Sequence, residues 1–276
     1  MNKSEKKIYF HADDYGRTPN ISKNILKCIT KGNLNSVSVI ITKNNKFHKK
    51  LKKLKNVNIK LHLNLTDNPE LHNHENTKLF NSLSFFKFFF LNKNEKKQVF
   101  EEIKYQINNF LKIYKPKYLK IDGHQHIHMI PWIFKYLLKY KKKYKIKEIR
   151  IPNERLLFPS LSDFFNFKYY RNILAFLVLK ILSYVNKNQK NSLEFSGVIY
   201  TGIQNNKTII KTIKSLKKDN HKSYEILLHP GHTNENEIEM FKKSFYEYYN
   251  SKNRKVEFDL CFSKEIKSEL SSFYRN

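Results

Sequence analysis

Three clusters of aspartate and histidine in this chain each stand directly behind a short apolar run. They are His11-Ala12-Asp13-Asp14-Tyr15-Gly16, Lys60-Leu61-His62-Leu63-Asn64-Leu65-Thr66 and Ile121-Asp122-Gly123-His124-Gln125-His126-Ile127-His128, the last closed by Pro131. A fourth element, Leu227-Leu228-His229-Pro230-Gly231-His232, repeats the pattern more weakly. Adjacent carboxylates repel, so Asp13 and Asp14 fit together best with a cation or a proton between them; an Asx turn capping the next helix is the plainer alternative. Alternation along an extended chain sets His62 and Asn64 on one face, although a histidine among leucines is often a satisfied core residue. His124, His126 and His128 share a face if the chain stays extended there. Three clustered imidazoles repel when charged and need partners when buried and neutral. A metal answers both needs, with Asp122 or backbone carbonyls orienting the rings. Which of the three would be the ligand is open at this point. His48, His72, His74 and His221 lie in polar surroundings and read as solvent-exposed.

One carboxylate and two imidazoles on a divalent ion, with positions left for water, suit hydrolysis. No nucleophile elbow, P-loop or dinucleotide fingerprint is present, and six glycines leave little for phosphate-cradling loops. A two-metal phosphoesterase would need further carboxylates near these motifs, and none is found there.

The elements that must position these residues alternate. Strands are expected at Lys7–His11, Ser36–Ile41, Asn58–Leu65, Tyr118–Ile121, Glu148–Ile151, Gly197–Tyr200 and Glu225–Leu228. Helices are expected near 21–31, 46–54, 95–114, 132–143, 206–217 and 235–249. Pro19 just inside the first helix and Gly32 just past it mark its ends. Such alternation predicts a parallel sheet, open or closed into a barrel, with the clusters at strand C-termini where α/β folds keep their sites. There is no repeat and no linker, so a single domain over 1–276 is expected, with an apolar and basic insertion at about 156–190. Two stretches stand outside the repeat: Leu79–Leu91, with Phe85-Phe86-Lys87-Phe88-Phe89-Phe90, and Leu161–Val185. The second has about 13 nearly uninterrupted apolar positions, short of the roughly 20 that span a bilayer. It reads first as a helix buried on the barrel, and second as an interfacial patch for a membrane or a lipid-linked substrate.

The 276 residues suffice for an enzyme core without staples. Cys28 and Cys261 are far apart and suit a reducing compartment; with no apolar leader after Met1, the expectation is a cytoplasmic protein, at most peripheral at the inner membrane surface. The net charge of +29 invites a nucleic-acid reading, but only six of the 53 basic residues are arginine, and lysine travels with Asn, Ile, Phe and Tyr, all favoured by A- and T-rich codons. Solvated surface lysine is the economical explanation, and no specific nucleic-acid partner is expected. A homo-oligomer is compatible with the sequence.

The four motifs, in this order and spacing across residues 12 to 230, resemble the YdjC-like carbohydrate deacetylases, the family of chitooligosaccharide and hopanoid-type enzymes. The resemblance implies a distorted (β/α) TIM-like barrel of mostly parallel strands that removes acetyl groups from an N-acetylated sugar, oligosaccharide or glycolipid. It implies one divalent ion, Mg²⁺ or Zn²⁺ with Mn²⁺ as a further option, on Asp14, His62 and His124. Asp13 would then be the general base, and His229 would protonate the leaving amine or stabilise the tetrahedral intermediate. Arg150 would sit near substrate, clamping a hydroxyl or carboxylate, or orienting a catalytic carboxylate. Gly123 stands where many relatives have serine, and the segment from Leu156 to Lys190 is closer to the hopanoid-type members.

Overall fold

The computed structural model describes residues 7–42, 45–67, 84–156, 165–186, 193–217, 223–240 and 243–273. Seven strands form one sheet: β1 (Ile8–Tyr15), β2 (Ser36–Val39), β3 (Asn58–Leu63), β4 (Leu119–Gly123), β5 (Ile146–Ile149), β6 (Leu193–Ser196) and β7 (Ser223–Leu228). Every pairing is parallel, in the order β5-β4-β3-β2-β1-β7-β6.

Alternation sorts each strand into two sets of side chains. One set is apolar and buried, as in Ile8, Phe10 and Ala12, or Leu61 and Leu63. The other carries His11, Ser36, Ser38, Lys60, His62, Asp122 and Glu225, also buried. These polar side chains meet across the sheet: Lys60 on β3 is ion-paired with Glu148 on β5 and with Glu225 on β7. Two strands separate β3 from β7, so the sheet must curl until its polar face closes on itself. The result is a distorted TIM-like barrel with a charged interior. The seam between β5 and β6 is narrowed by Glu154, which bridges to Phe195 and accepts hydrogen bonds from the backbone N–H groups of Gly197, Val198 and Ile199.

The helices follow local signals. The helix Pro19–Lys31 starts behind Thr18, whose hydroxyl accepts from the Ile21 N–H, and stops at Gly32. The helix Lys93–Tyr114 begins with a capping box of Asn92 and Glu95. Asn45–Lys52, Pro131–Lys139 and Asn206–Lys217 lie where the sequence predicts helices. The segment expected as one helix at 235–249 is a 3₁₀ turn, Glu235–Met240, then a helix, Lys243–Tyr249.

Four expectations need correction. The sixth strand is Leu193–Ser196, not Gly197–Tyr200, which forms a buried turn on the Glu154 carboxylate. Two further helices, Lys252–Leu260 and Lys264–Phe273, close the chain. His48 is fully buried, its Nδ1 2.9 Å from the Tyr114 hydroxyl; His72, His74 and His221 fall outside the described residues. The apolar helix, Phe167–Val185, buries only one side, through Tyr169, Phe176, Leu179 and Leu182, and leaves large apolar side chains exposed on the other. Among the described residues no helix is long and apolar enough to cross a membrane.

Candidate metal centre

Strict alternation would send Asp13 and Asp14 to opposite faces of β1. The register of β1 against β2 slips between Ala12 and Tyr15, and Asp14 lies in the left-handed region at φ 71°. That bulge lets both carboxylates serve one end of the barrel. Gly16, at φ +94°, completes the turn: a Cβ there would lie 2.2 Å from the Ile40 carbonyl oxygen.

His62 projects from β3 and His124 follows β4 directly. His124 Nδ1 lies 3.1 Å from Asp14 Oδ1, and His62 Nε2 lies 3.7 Å from the same oxygen. One donor atom from each of the three residues falls within 4.8 Å of the others, and all three residues are buried. Ligands held about 2.0–2.2 Å from a first-row ion stand roughly 3–3.5 Å apart, so the spacing fits a metal with little adjustment. The orientation fits as well. Asp122 accepts from His62 Nδ1 at 2.6 Å, which leaves Nε2 to face Asp14. Burial alone would lower the pKa of His62, but Asp13, Asp122 and Asp14 outweigh it and raise it, so the cluster attracts a cation.

The two aspartates have separate anchors. Asp13 receives Arg150 through both guanidinium nitrogens at 2.9 Å, and His11 Nε2 lies 3.0 Å from its Oδ1. Asp14 receives Arg254 at 3.0 Å. Burial would raise both carboxyls; Arg150 and His62 hold Asp13, and the His124 hydrogen bond and Arg254 hold Asp14, well below the usual carboxylate range. His229 faces the same cavity, and burial pushes it down to about 4, so it is neutral at physiological pH. Its backbone N–H donates to Glu257 at 2.5 Å, and Glu257 is itself pushed up to about 6 by burial.

Asp13, His62, His124, His126 and His229 line a pocket of about 610 Å³ together with Phe85, Phe86, Leu174 and Val178. Arg150 is 3% exposed and also binds Glu225 and Asp122. Of the two roles the resemblance gave it, its contacts serve the orienting of a carboxylate. The three histidines do not share a face. The chain leaves β4 as a 3₁₀ turn, His124–Met129, with Gln125 and His126 left-handed. His128 turns away to bond the Arg150 carbonyl, at 2.8 Å, and His126 packs edge-on against Phe195. Sequence reasoning missed Arg254, Glu257 and Tyr249, the last stacked on His124. Arg254 and Glu257 lie on the helix Lys252–Leu260, which was not expected, and Tyr249 ends the helix Lys243–Tyr249, within the stretch that was. Glu225 lay in an expected strand, but only the curl of the sheet reveals its partner.

Fold and site together define an α/β barrel-type protein with a buried acidic and histidine group able to hold a metal ion. The chain belongs to the YdjC-like protein family, whose sequence model matches residues 7–272. This is a family of carbohydrate-processing, hydrolase-type proteins. A crystal structure from Enterococcus faecalis V583, described as a "putative cellobiose-phosphate cleavage protein", is similar in fold. It has a TM-score of 0.64 at 17% identity, over 98% of this chain and 96% of that one. No curated protein matches the sequence.

Proposed function

We propose that this protein hydrolyses the acetamide of an N-acetylated sugar, giving acetate and a free amino sugar, with one divalent ion on Asp14, His62 and His124. The observation that carries the reading is the division of labour between adjacent carboxylates. Asp14 faces two imidazoles with ligand spacing, while Asp13 lies beside the cluster on its own arginine. A divalent ion bound there would lower the pKa of a water molecule and polarise the acetamide carbonyl.

The chain's own groups would do the rest. Asp13, oriented by Arg150 and His11, accepts the proton that water gives up on attacking the carbonyl. His229 is neutral, so it serves as a hydrogen-bond donor to the oxygen on which charge develops, rather than as a resting imidazolium. The proton taken by Asp13 returns to the departing nitrogen, directly or through His229. The pocket has the size of an ordinary small-ligand site, with an apolar lining beside its polar groups. Zn²⁺, Mg²⁺ and Mn²⁺ all suit mixed oxygen and nitrogen ligands.

Acetate release from a panel of N-acetylated sugars and glycolipids, with and without chelator, tests the proposal. Chelator-sensitive release from at least one is expected. Metal-loaded protein that releases no acetate from any of them would direct attention to another bond.

A further inference from the structure

We infer that the exposed side of the helix Phe167–Val185, with the neighbouring phenylalanine turn, is a docking surface for an anionic bilayer, and that it brings the pocket mouth to the lipid headgroups. Phe167, Tyr170, Leu174, Leu177, Ile181 and Tyr184 follow one another at intervals of three and four residues, which makes a single stripe along the helix. All six are exposed, from 49% at Leu177 to 83% at Phe167. The buried side of the same helix already packs on the barrel, so the stripe does not belong to the core. A soluble surface helix ordinarily turns polar residues outward; this one is apolar on both sides.

The stripe runs into the proposed active site. Leu174, Ala175 and Val178 of this helix and Phe85 and Phe86 of the phenylalanine turn line the pocket. Phe86 is 64% exposed, and Phe90, at the end of the same phenylalanine turn, is 86% exposed. Apolar side chains thus ring the opening of a pocket whose floor is carboxylate and imidazole.

Charge selects the partner. Residues 156–192 contain Lys168, Arg171, Lys180, Lys187 and Lys190 against Asp163 alone, in a chain of net charge +29. Lys168 and Arg171 are exposed on this helix, Arg171 at the pocket, and can extend their ammonium and guanidinium groups toward phosphates while the stripe enters the interface. Two copies of so basic a chain repel each other, whereas an anionic leaflet attracts it. The helix would lie in the interfacial plane, since it is too short in apolar residues to cross.

Docking is independent of turnover; what the pocket would do there rests on the hydrolase reading. The test is co-sedimentation of the full chain with vesicles of phosphatidylcholine plus phosphatidylglycerol, and of phosphatidylcholine alone. Leu177→Ser with Ile181→Ser removes the centre of the stripe without touching the pocket wall or the charge, and circular dichroism verifies its fold. Wild type is expected to pellet with anionic vesicles, and the double variant to bind about tenfold more weakly. Equal binding by both would reduce the interaction to lysine charge and overturn the proposal, as would no binding by wild type. Sedimentation as a dimer that the double variant dissociates would also overturn it, by assigning the stripe to a second copy. Because no turnover is read, failure of the deacetylase proposal leaves this result standing, and the reverse.

Discussion

Asp13 and Asp14 are neighbours in sequence and are held by different halves of the molecule. Asp13 belongs to the barrel interior: Arg150 ties it to Asp122 and Glu225, and Glu225 pairs in turn with Lys60. Asp14 belongs to the C-terminal layer, where Arg254 pairs with it and also donates to the Gly231 carbonyl. The interior network is dense, and every member has a fixed partner. The Asp14 side is less fully hydrogen-bonded: among the described residues, Arg254 has a buried Nη2 with no hydrogen-bond partner, its guanidinium lying over the rings of Tyr248 and Tyr249. A group that must hold still to take a proton is locked into the strands. A group that must adjust to a ligand is shared with helices added at the end of the chain.

That contrast predicts different failures. Asp13→Asn is expected to keep its metal and lose about 10²- to 10⁴-fold in kcat, the usual scale for a general base. Asp14→Asn is expected to lose metal itself. Metal content and kcat of the two purified variants decide it; equal metal loss in both would erase the distinction.

The arginines should separate next. Arg150→Met leaves three buried carboxylates short of a cation, and breaking such pairs costs about 3–5 kcal/mol. Arg254→Met removes the ion pair of one carboxylate, Asp14, and should cost less, as urea denaturation would measure. Acid unfolding reports the same difference. Arg150 and Lys60 outweigh the burial that would raise Glu225 and lower it to about 2. A depressed carboxylate contributes stability above its ordinary pKa, and that contribution is lost as pH falls toward the folded value. Wild-type Glu225 therefore stabilises the fold fully above about pH 4.5, and progressively less toward 2. In Arg150→Met the folded value rises toward the ordinary one, so the contribution should be smaller and its loss should be complete at higher pH.

Much of this was legible in advance, for identifiable reasons. The parallel architecture followed from alternating periods, and the metal cluster from polar residues at strand ends, where packing has no use for them. Spacing alone could not choose among His124, His126 and His128, because the choice is made by left-handed Gln125 and His126, which break the alternation. The sixth strand was misplaced by four residues because Val198-Ile199-Tyr200 is as apolar as a strand, yet it is held as a turn by Glu154, distant in sequence. Arg254 was invisible for a further reason: an arginine among lysines on a short polar helix has no local mark of burial.

Asp122 joins the two halves, and its replacement should be the mildest and most discriminating change. Its Oδ1 accepts from His62, on the metal side; its Oδ2 accepts from Ser38 at 2.5 Å and from Arg150 at 2.9 Å, on the Asp13 side. Asparagine keeps one oxygen and must choose. Two donors face Oδ2 and one faces Oδ1, so the amide oxygen should stay with Arg150 and Ser38 and turn its NH₂ toward His62. The His62 ring then loses the acceptor that orients it, and metal affinity should fall about 10- to 100-fold, the usual effect of removing such a partner. Asp13 would remain anchored, so saturating metal should restore most of kcat. Titration of activity with metal separates the outcomes: a weakened affinity with recovered kcat supports two separable halves, whereas unchanged affinity with a lost kcat would mean that the interior network and the metal cluster act as one unit.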